Sequence, residues 1–475
     1  MSSPLPASSH KRRRILQRCT SLEQEPENCD QCDLSSSPPG IRSLKDLAEW
    51  PLDVATALCG GNDEKNEELR LRLRNHLLTG MILNTDYSGL DCPREAMEMG
   101  IQALKRVLDL EIPGSVLRVG RTCDKGAIQK RVQVELARSF DFEGGHQHCH
   151  FEDILHRLPK SAQDYISAAT PNKSAPKADR AAAFGAIATW IMQNRSWLFS
   201  LDAESYCCVH DRRCRVHKFA GAEDDSSLRM NVAGVTCHAW SSEGLNEGSA
   251  HESEIPLAAW LAERVYMFEQ KAEDVAFLEC TPRFPAQQRL SEVFGALGKV
   301  FAWTDGPEWH GWPHRRRRVL AVVVNTLTAS WVGDTDVSVL KDANYSFVRW
   351  FPLGGIQRLR DWQELYHEKL AESPSCEHSY AMWIILLVVK VPVEASCGPP
   401  NSLMAQWYPF VAPNKMTVMK KTSLTPAQIK TLAGNSMHLR TQMTFMLFCL
   451  AQIIKKQSGR ASLSRASTWM DDEEQ

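Results

Sequence analysis

Short apolar runs alternate with amphipathic stretches between residues 80 and 325, and this pattern predicts the fold. Continuous apolar runs indicate buried strands, whereas apolar residues spaced three or four apart indicate helices. The predicted strands are 81–85, 115–120, 230–235, 275–278, 299–303 and 319–324. The predicted helices are 67–78, 94–108, 126–136, 181–193 and 256–269. This alternation predicts an α/β domain with a mostly parallel sheet covered by helices on both faces.

Length and local composition divide the chain further. A chain of 475 residues is too long for one compact core. The Ser/Pro-rich residues 1–45 and the acidic end at 457–475 are expected to be disordered tails. The main α/β domain is assigned to 46–325, with a Cys/His-containing insert at 160–228. Residues 326–422 show no clear alternation and predict a smaller domain. Residues 423–456, with a helix at 437–454, are expected to return to the main domain.

Charge and hydropathy exclude some classes of partner. The formal net charge is −2, so any contact with nucleic acid must come from local basic patches. The longest apolar run, 381–389, is too short to cross a membrane and predicts a strand, and no membrane partner is expected. The basic run 11–14 indicates nuclear import or an arm that touches nucleic acid, and a solvated tail is the alternative. The 15 cysteines, an odd number, are expected to be reduced thiols.

Candidate chemistry is concentrated where predicted strands end. Cys237 follows the 230–235 strand in a loop of small residues, a position that can expose a thiol at the carboxyl edge of a parallel sheet. Glu279 ends the 275–278 strand and would come to the same edge. The basic run 314–318 precedes the last strand and could hold a phosphate or a base oxygen. A thiol needs such an electropositive neighbourhood to ionise near neutral pH.

The order of these segments resembles that of the DNA (cytosine-5) methyltransferases. Tyr87-Ser88-Gly89-Leu90 resembles the family's Phe-Ser-Gly-Ile loop, and Phe151-Glu152-Asp153-Ile154 resembles its Gly-Asp-Ile segment. Residues 234–244 resemble the nucleophile motif Gly-x-Pro-Cys-Gln-x-Phe-Ser-x-x-Gly, and residues 279–281 resemble Glu-Asn-Val. Residues 313–318 resemble Pro-Gln-x-Arg-x-Arg, and residues 434–437 resemble Gly-Asn-Ala-Val. These matches span residues 87–437 in one order.

The resemblance implies a fold, a cofactor and a reaction. The fold is the Rossmann-like sheet of the S-adenosylmethionine-dependent methyltransferases, with 46–325 as the catalytic domain and 326–422 as the target-recognition domain. The reaction is methyl transfer from S-adenosyl-L-methionine to C5 of a flipped cytosine in DNA. The implied catalytic residues are Cys237, Glu279, Arg316 and Arg318. The implied cofactor-binding residues are Tyr87, Ser88, Gly89, Leu90, Asp124, Asp153 and Asn435.

The resemblance also implies a role for each catalytic residue. Cys237 attacks C6 of the base, and Glu279 binds N3 and the exocyclic amine. Arg318 holds the base O2, and Arg316 supports Glu279 or a phosphate. Asp153 reads the adenine of the cofactor, and the amides of the 88–90 turn lie near its methionine carboxylate.

Departures from the family pattern keep other functions open. Thr236 and His238 replace the proline and glutamine that flank the family's cysteine, and Thr122 stands where the family has an acid, with Asp124 two positions later. A catalytically degenerate relative that binds nucleic acid or a protein is therefore one alternative. An RNA cytosine-5 methyltransferase is another, although the Cys-Phe-Thr segment of that branch is not found.

The insert contains a dense run of metal-ligating residue types. Cys207, Cys208, His210, Cys214 and His217 lie within eleven positions, and four such side chains can bind zinc. Their spacing is irregular and matches no known zinc finger, so an ordinary Cys/His-rich loop is the preferred interpretation. No metal is therefore assigned, and Cys208, His210, Cys214 and His217 remain the candidates. The run 146–150, with His146, His148, Cys149 and His150, is interpreted as a loop.

Overall fold

A computed structural model describes residues 44–59, 64–139, 148–220, 226–235, 239–240, 247–306, 317–333, 428 and 439–456. Its helices are α1 Leu44–Cys59, α2 Glu64–Thr79, α3 Cys92–Val107, α4 Ala127–Ser139, α5 Lys160–Ala169, α6 Lys177–Gln193, α7 Arg195–Leu198, α8 Glu254–Glu269, α9 Ala286–Phe294 and α10 Leu439–Gln452. Its strands are β1 Met81–Asp86, β2 Leu117–Cys123, β3 Cys149–Phe151, β4 Glu204–Cys207, β5 Arg212–Arg215, β6 Leu228–Gly234, β7 Val275–Cys280, β8 Gly298–Asp305, β9 Arg318–Asn325, β10 Ala329–Trp331 and β11 Ile453–Lys455.

Seven strands form one sheet in the order β3-β2-β1-β6-β7-β9-β8. The pairs from β3 to β7 are parallel, whereas β9 runs antiparallel to both β7 and β8. Insertion of the last strand between the two that precede it is the topology of the S-adenosylmethionine-dependent methyltransferases. The predicted fold is therefore confirmed by the strand order.

Helices cover both faces of the sheet, and the side chains of its central strands are buried on both faces. On one face, α1, α2, α3 and α10 pack against side chains such as Leu83 and Phe277. On the other face, α6, α8 and α9 pack against side chains such as Leu278 and Val323. The fully buried Trp260 of α8 belongs to this second core. Residues of the 160–228 segment share the second core, so this segment packs directly on the sheet.

Most predicted elements are present with shifted ends. The second strand ends at Cys123 and not at residue 120, because its buried side chains include the polar Arg121 and Thr122, which the apolar pattern did not count. The predicted helix 437–454 is described from Leu439 and ends at Gln452. The next residues form β11, which pairs with β10. The predicted tails, the strand at 381–389 and most of the smaller domain lie outside the described residues. Among the described residues, no helix has the length and apolarity needed to cross a membrane.

Candidate active site at the carboxyl edge of the sheet

The strand order reverses between β1 and β6, and in open α/β sheets ligands bind beyond the carboxyl ends of the strands at such a point. The register aligns three strand ends there. Asp86 of β1 pairs with Ala233 of β6, and Gly234 pairs with Glu279 of β7. The 87–91 loop, the segment that contains Cys237, and Glu279 therefore all follow strands that end at this edge. The sequence predicts that Cys237 and Glu279 come to the same edge of the sheet, and the strands that carry them do end there.

The loop after β1 is held in an unusual backbone conformation. Tyr87, Gly89 and Asp91 all have positive φ angles, of 54°, 55° and 60°. Such angles are costly for residues other than glycine, and they concentrate at functional sites. The hydroxyl of Ser88 fixes the turn, since it lies 2.7 Å from Thr85 Oγ1 and donates to the carbonyl of Cys123 at 3.2 Å. The turn is thus tied to the strands on which it stands.

The two candidate cofactor carboxylates lie at the ends of neighbouring strands. Asp124 follows β2, and its side chain accepts hydrogen bonds of 2.8 Å from the amides of Gly89 and Gly126. Burial raises the pKa of Asp124, although both amide bonds oppose that shift. Asp153 follows β3 and accepts a 2.9 Å bond from the amide of Leu155, which begins a 3-10 turn. The structure therefore brings both carboxylates to the 88–90 turn side of the sheet edge.

Charged side chains lie buried beneath this edge. Asp86 ion-pairs with Arg157 at 3.1 Å and with Arg121 at 3.3 Å. Glu263 on α8 lies 3.0 Å from Arg157 and 2.8 Å from Arg264. Burial alone would raise the pKa of Asp86, but the surrounding arginines outweigh it and hold the pKa below its ordinary value. The network joins β1, β2, α8 and the turn after Asp153, so it fixes the base of the site.

Glu279 and Arg318 form an ion pair at the carboxyl end of β7. Arg318 begins β9, which runs antiparallel to β7, and its neighbour Val319 pairs with Cys280. The antiparallel strand thereby delivers the arginine to the carboxyl end of β7. Arg318 Nε lies 2.8 Å from Glu279 Oε1, and the two side chains are 21% and 12% exposed. The structure thus brings together two residues that are 39 positions apart in sequence (318 − 279).

A pocket opens between the two halves of this edge. Its interior has room for about one water molecule in this structure. Val235 and Trp240, which flank the Cys237 segment, both line it, and Trp240 packs edge-on against Phe284 with ring centroids 5.7 Å apart. The other lining residues are Tyr87, Ser253, Glu254, Leu257 and Cys280. Tyr87 of the 87–91 loop and two residues that flank the Cys237 segment therefore border one cavity.

Three predicted site residues, Cys237, Arg316 and Asn435, lie outside the described residues. Leu90 is described, half-buried, and packs against the small core of α4. Thr122, which stands at the position of the family's acid, is fully buried, with its hydroxyl 2.8 Å from His150 Nδ1. It therefore faces the interior, and Asp124 is the carboxylate that this strand end offers.

The residues at this edge offer acceptors and a donor that suit S-adenosylmethionine, but two backbone amides of the turn already form hydrogen bonds within the protein. Asp124 and Asp153 are carboxylates, which are acceptors of the kind that the hydroxyl and amine donors of a nucleoside require. The buried hydroxyl of Tyr87 has no hydrogen-bond partner among the residues that the structure describes, and burial raises its pKa, so it remains a donor. The amide of Ser88 already donates to Cys123, and that of Gly89 to Asp124. A cofactor carboxylate at the turn would compete with these two bonds.

The Cys/His candidates are divided by the structure. His210 and Cys214 lie together with Cys207 and with Cys149, which the sequence pattern had placed in a loop. Cys208 turns away from this group, and its amide bonds to the carbonyl of His150.

His217 is buried elsewhere, 3.5 Å from Glu263 and 3.2 Å from Arg121, in the charge network. Cys207 and Cys149 thus stand in this group in place of Cys208 and His217, and Cys149 reaches it because β3 lies next to the β4–β5 hairpin. The spacing Cys207-x-x-His210-x-x-x-Cys214 was the only sequence signal for it.

Comparison with known proteins finds no matching family model and no matching curated protein. Among solved structures, the chain is similar to a candidate DNA modification methyltransferase encoded within a prophage (E. coli), with a TM-score of 0.26 and 6% identity. That alignment covers 52% of this chain, which spans only 47% of that protein. The chain is also similar to the Entamoeba histolytica methyltransferase EhMeth, with a TM-score of 0.33 and 10% identity over 78% of this chain and 98% of the other. At such low scores, the fold assignment depends on the strand order.

Proposed function

We propose that this protein transfers a methyl group from S-adenosyl-L-methionine to C5 of a cytosine in DNA, with Cys237 as the nucleophile. One observation carries the proposal. Glu279 pairs in register with Gly234, three residues before Cys237, and forms a 2.8 Å ion pair with Arg318. Glu279 and Arg318, distant in the sequence, thus meet at the sheet edge where the strand that precedes Cys237 ends, beside the 87–91 loop.

The residues at this edge have distinct tasks in the proposed reaction. The thiolate of Cys237 attacks C6 of the base, which makes C5 nucleophilic. Glu279 binds the N3 side of the base and neutralises charge that develops there, a form of assistance worth about 10²- to 10⁴-fold. Arg318 orients Glu279 through the observed ion pair. After methylation, loss of the C5 proton and departure of the thiolate restore the aromatic ring.

The cofactor side supplies the electrophile. Bound S-adenosylmethionine provides an activated methyl group. Asp124 and Asp153 are proposed to accept hydrogen bonds from its nucleoside, since both follow strands that end beside the 88–90 turn. The target carbon is inaccessible inside a duplex, so the base must be flipped out, and the small pocket bordered by Tyr87 and Trp240 would have to widen to receive it.

The backbone amides of Ser88 and Gly89 already donate hydrogen bonds to Cys123 and Asp124, and this supports a second candidate function. If the bond between Asp124 and the Gly89 amide persists, cofactor binding is weakened and the protein serves as a nucleic-acid-binding relative without activity. Titration calorimetry with S-adenosylmethionine distinguishes the two candidates. Asp124→Asn weakens the bond to Gly89 and removes a charge, so it should lower affinity if Asp124 serves the cofactor and leave no binding to change if the protein is inactive.

Covalent trapping tests the proposal directly. The protein is incubated with S-adenosylmethionine and a duplex that contains 5-fluorocytosine at many sites. Fluorine cannot leave C5 as a proton does, so a working enzyme stalls as a covalent adduct. We expect an adduct with the natural protein and none with Cys237→Ser. The matched control is Cys208→Ser, which alters a buried thiol that does not line this pocket.

The remaining outcomes decide between the candidates. An adduct that still forms with the Cys237→Ser variant would contradict the assignment of Cys237 as the nucleophile. An adduct with RNA and none with DNA would move the substrate to RNA. No adduct with either substrate, from folded protein that binds DNA, would favour the inactive relative.

A further inference from the structure

A compact group of three thiols and one imidazole lies at the far edge of the sheet. Cys149 begins β3, Cys207 ends β4, His210 lies in the turn that follows, and Cys214 lies on β5. The four ligand atoms, one from each residue, all lie within 4.8 Å of one another. Three segments, separated by up to 65 residues (214 − 149), therefore meet at one point.

We infer that Cys149, Cys207, His210 and Cys214 form a structural zinc site. The Nδ1 atom of His210 lies 3.2 Å from the sulfur of Cys207 and 3.6 Å from the sulfurs of Cys149 and Cys214. Tetrahedral zinc with ordinary Zn–S and Zn–N bond lengths separates sulfur from nitrogen by about 3.6 Å. The distances to Cys149 and Cys214 match this separation and the distance to Cys207 is shorter, so a Cys₃His ligand set needs only a small adjustment to hold the ion.

Packing alone does not account for this arrangement. A neutral imidazole nitrogen can accept a single hydrogen bond, yet three sulfurs surround the same nitrogen. A metal ion satisfies all four groups at once. Thiolate and imidazole ligands with tetrahedral geometry select zinc among common divalent ions. Four protein ligands leave no open position, which is the arrangement of a structural site and not of a catalytic one.

The surroundings suit ionised thiols. Three thiolates around Zn²⁺ give the centre a net charge of about −1. Arg212 lies two residues before Cys214 on β5, on the same strand face, and brings a positive charge near the centre, whereas Arg213 and Arg215 pair with Glu204 and Asp202. Cys149 and Cys207 are buried, whereas His210 and Cys214 are half-buried, so an ion can reach the centre from the hairpin side.

A zinc ion at this site would stabilise the edge strand β3. Strand β3 has only three residues, Cys149–Phe151, and pairs with β2 alone. The β4–β5 hairpin reaches it through one backbone bond, from Cys208 to His150. Zinc would join the hairpin to β3 through all four ligands. Asp153 follows β3 directly, so the metal would fix the position of that carboxylate whatever reaction the protein performs.

Neighbouring cysteines provide a matched test. The full chain is purified under reducing conditions with zinc supplied during expression, and its metal content is measured by elemental analysis. We expect about one zinc per chain in the natural protein. Cys207→Ser should lose most of it. Cys208→Ser removes the adjacent thiol, which lies outside the group, and should keep it.

A second variant separates metal binding from folding. Cys214→His retains four ligands and should retain zinc, and in cobalt-substituted protein its thiolate-to-metal absorption should fall by about one third because two thiolates remain of three. Removal of zinc by a chelator should lower the melting temperature of the natural protein, and added zinc should restore it.

Several results would overturn the inference. These are natural protein without zinc, equal zinc content in Cys207→Ser and Cys208→Ser, or a disulfide between two of the three cysteines in the protein as purified.

Discussion

Removal of one buried arginine should destabilise the protein far more than removal of an exposed one. Arg157 is only 2% exposed and contacts Asp86 at 3.1 Å and Glu263 at 3.0 Å. Together with Arg121, Arg264 and Glu273, these residues form a network of three arginines and three carboxyl groups, in which burial raises the pKa of Glu273 to about 8. Arg157→Met fills a similar volume but removes the cation that lies between the buried carboxyl groups of Asp86 and Glu263.

The size of the effect follows from the burial. Breaking a buried ion pair by removing one partner costs about 3–5 kcal/mol, because the remaining charge is neither solvated nor paired. The bonds that Asp86 retains, to Arg121 at 3.3 Å and to Asn231 at 2.8 Å, place the expected cost toward the lower end of that range. At about 2 °C for each kcal/mol in a domain of this size, the melting temperature should fall by about 6–10 °C.

A control is available at the surface. Arg195→Met breaks the ion pair with Glu269, whose side chains are 31% and 34% exposed. Water solvates these groups after the change, so the expected cost is below about 1 kcal/mol. Both variants are measured by urea unfolding at neutral pH, with the slope of the transition checked for constancy. Equal losses in the two variants, or a loss below about 1 kcal/mol for Arg157→Met, would refute the argument that burial determines the cost.

Three further predictions concern packing, pH and catalysis. Gly298→Ala should cost about 1–3 kcal/mol of unfolding free energy, since its Cβ would lie 2.5 Å from a side-chain carbon of β9. Gly185→Ala, inside α6 with open space around it, should instead add about 0.5–1 kcal/mol in the same assay. The arginines hold the pKa of Asp86 below its ordinary value of 3.8, so its stabilising effect is present above that pH and is lost as the pH falls below it. In urea unfolding between pH 7 and 3, Asp86→Asn should therefore flatten the acid branch. In single-turnover methylation, Arg318→Met should slow transfer by about 10²-fold, whereas its neighbour variant Arg317→Met should change it little.

Each of these predictions has a contradicting result. Equal effects of the two glycine substitutions would show that the space around each Cβ does not decide the outcome. An acid branch unchanged in Asp86→Asn would show that this carboxyl does not titrate on unfolding. If the Arg318→Met variant methylates at the natural rate, the ion pair between Arg318 and Glu279 has no role in the proposed mechanism.

Local pattern was sufficient for the α/β alternation and for the order of candidate residues along the chain. Apolar runs predicted the strands that became β1, β6, β7, β8 and β9, because strands buried on both faces read as continuous apolar sequence. The pattern missed β3, whose sequence Cys-His-Phe is too short and too polar to show periodicity. It also ended β2 early, because Arg121 is buried through ion pairs and not through apolarity.

Tertiary structure decided which distant residues meet. The sequence alone placed Cys237, Glu279 and Arg318 in one order, and the antiparallel insertion of β9 beside β7 brings Arg318 within 2.8 Å of Glu279. The sequence likewise showed a Cys/His-rich loop, but it did not show that Cys149 joins Cys207, His210 and Cys214. Cys149 joins His210 because β3 and the β4–β5 hairpin are adjacent in space, a contact between segments that local composition does not encode. The sequence thus determined the chemistry that is available, and strand pairing determined which groups can act together.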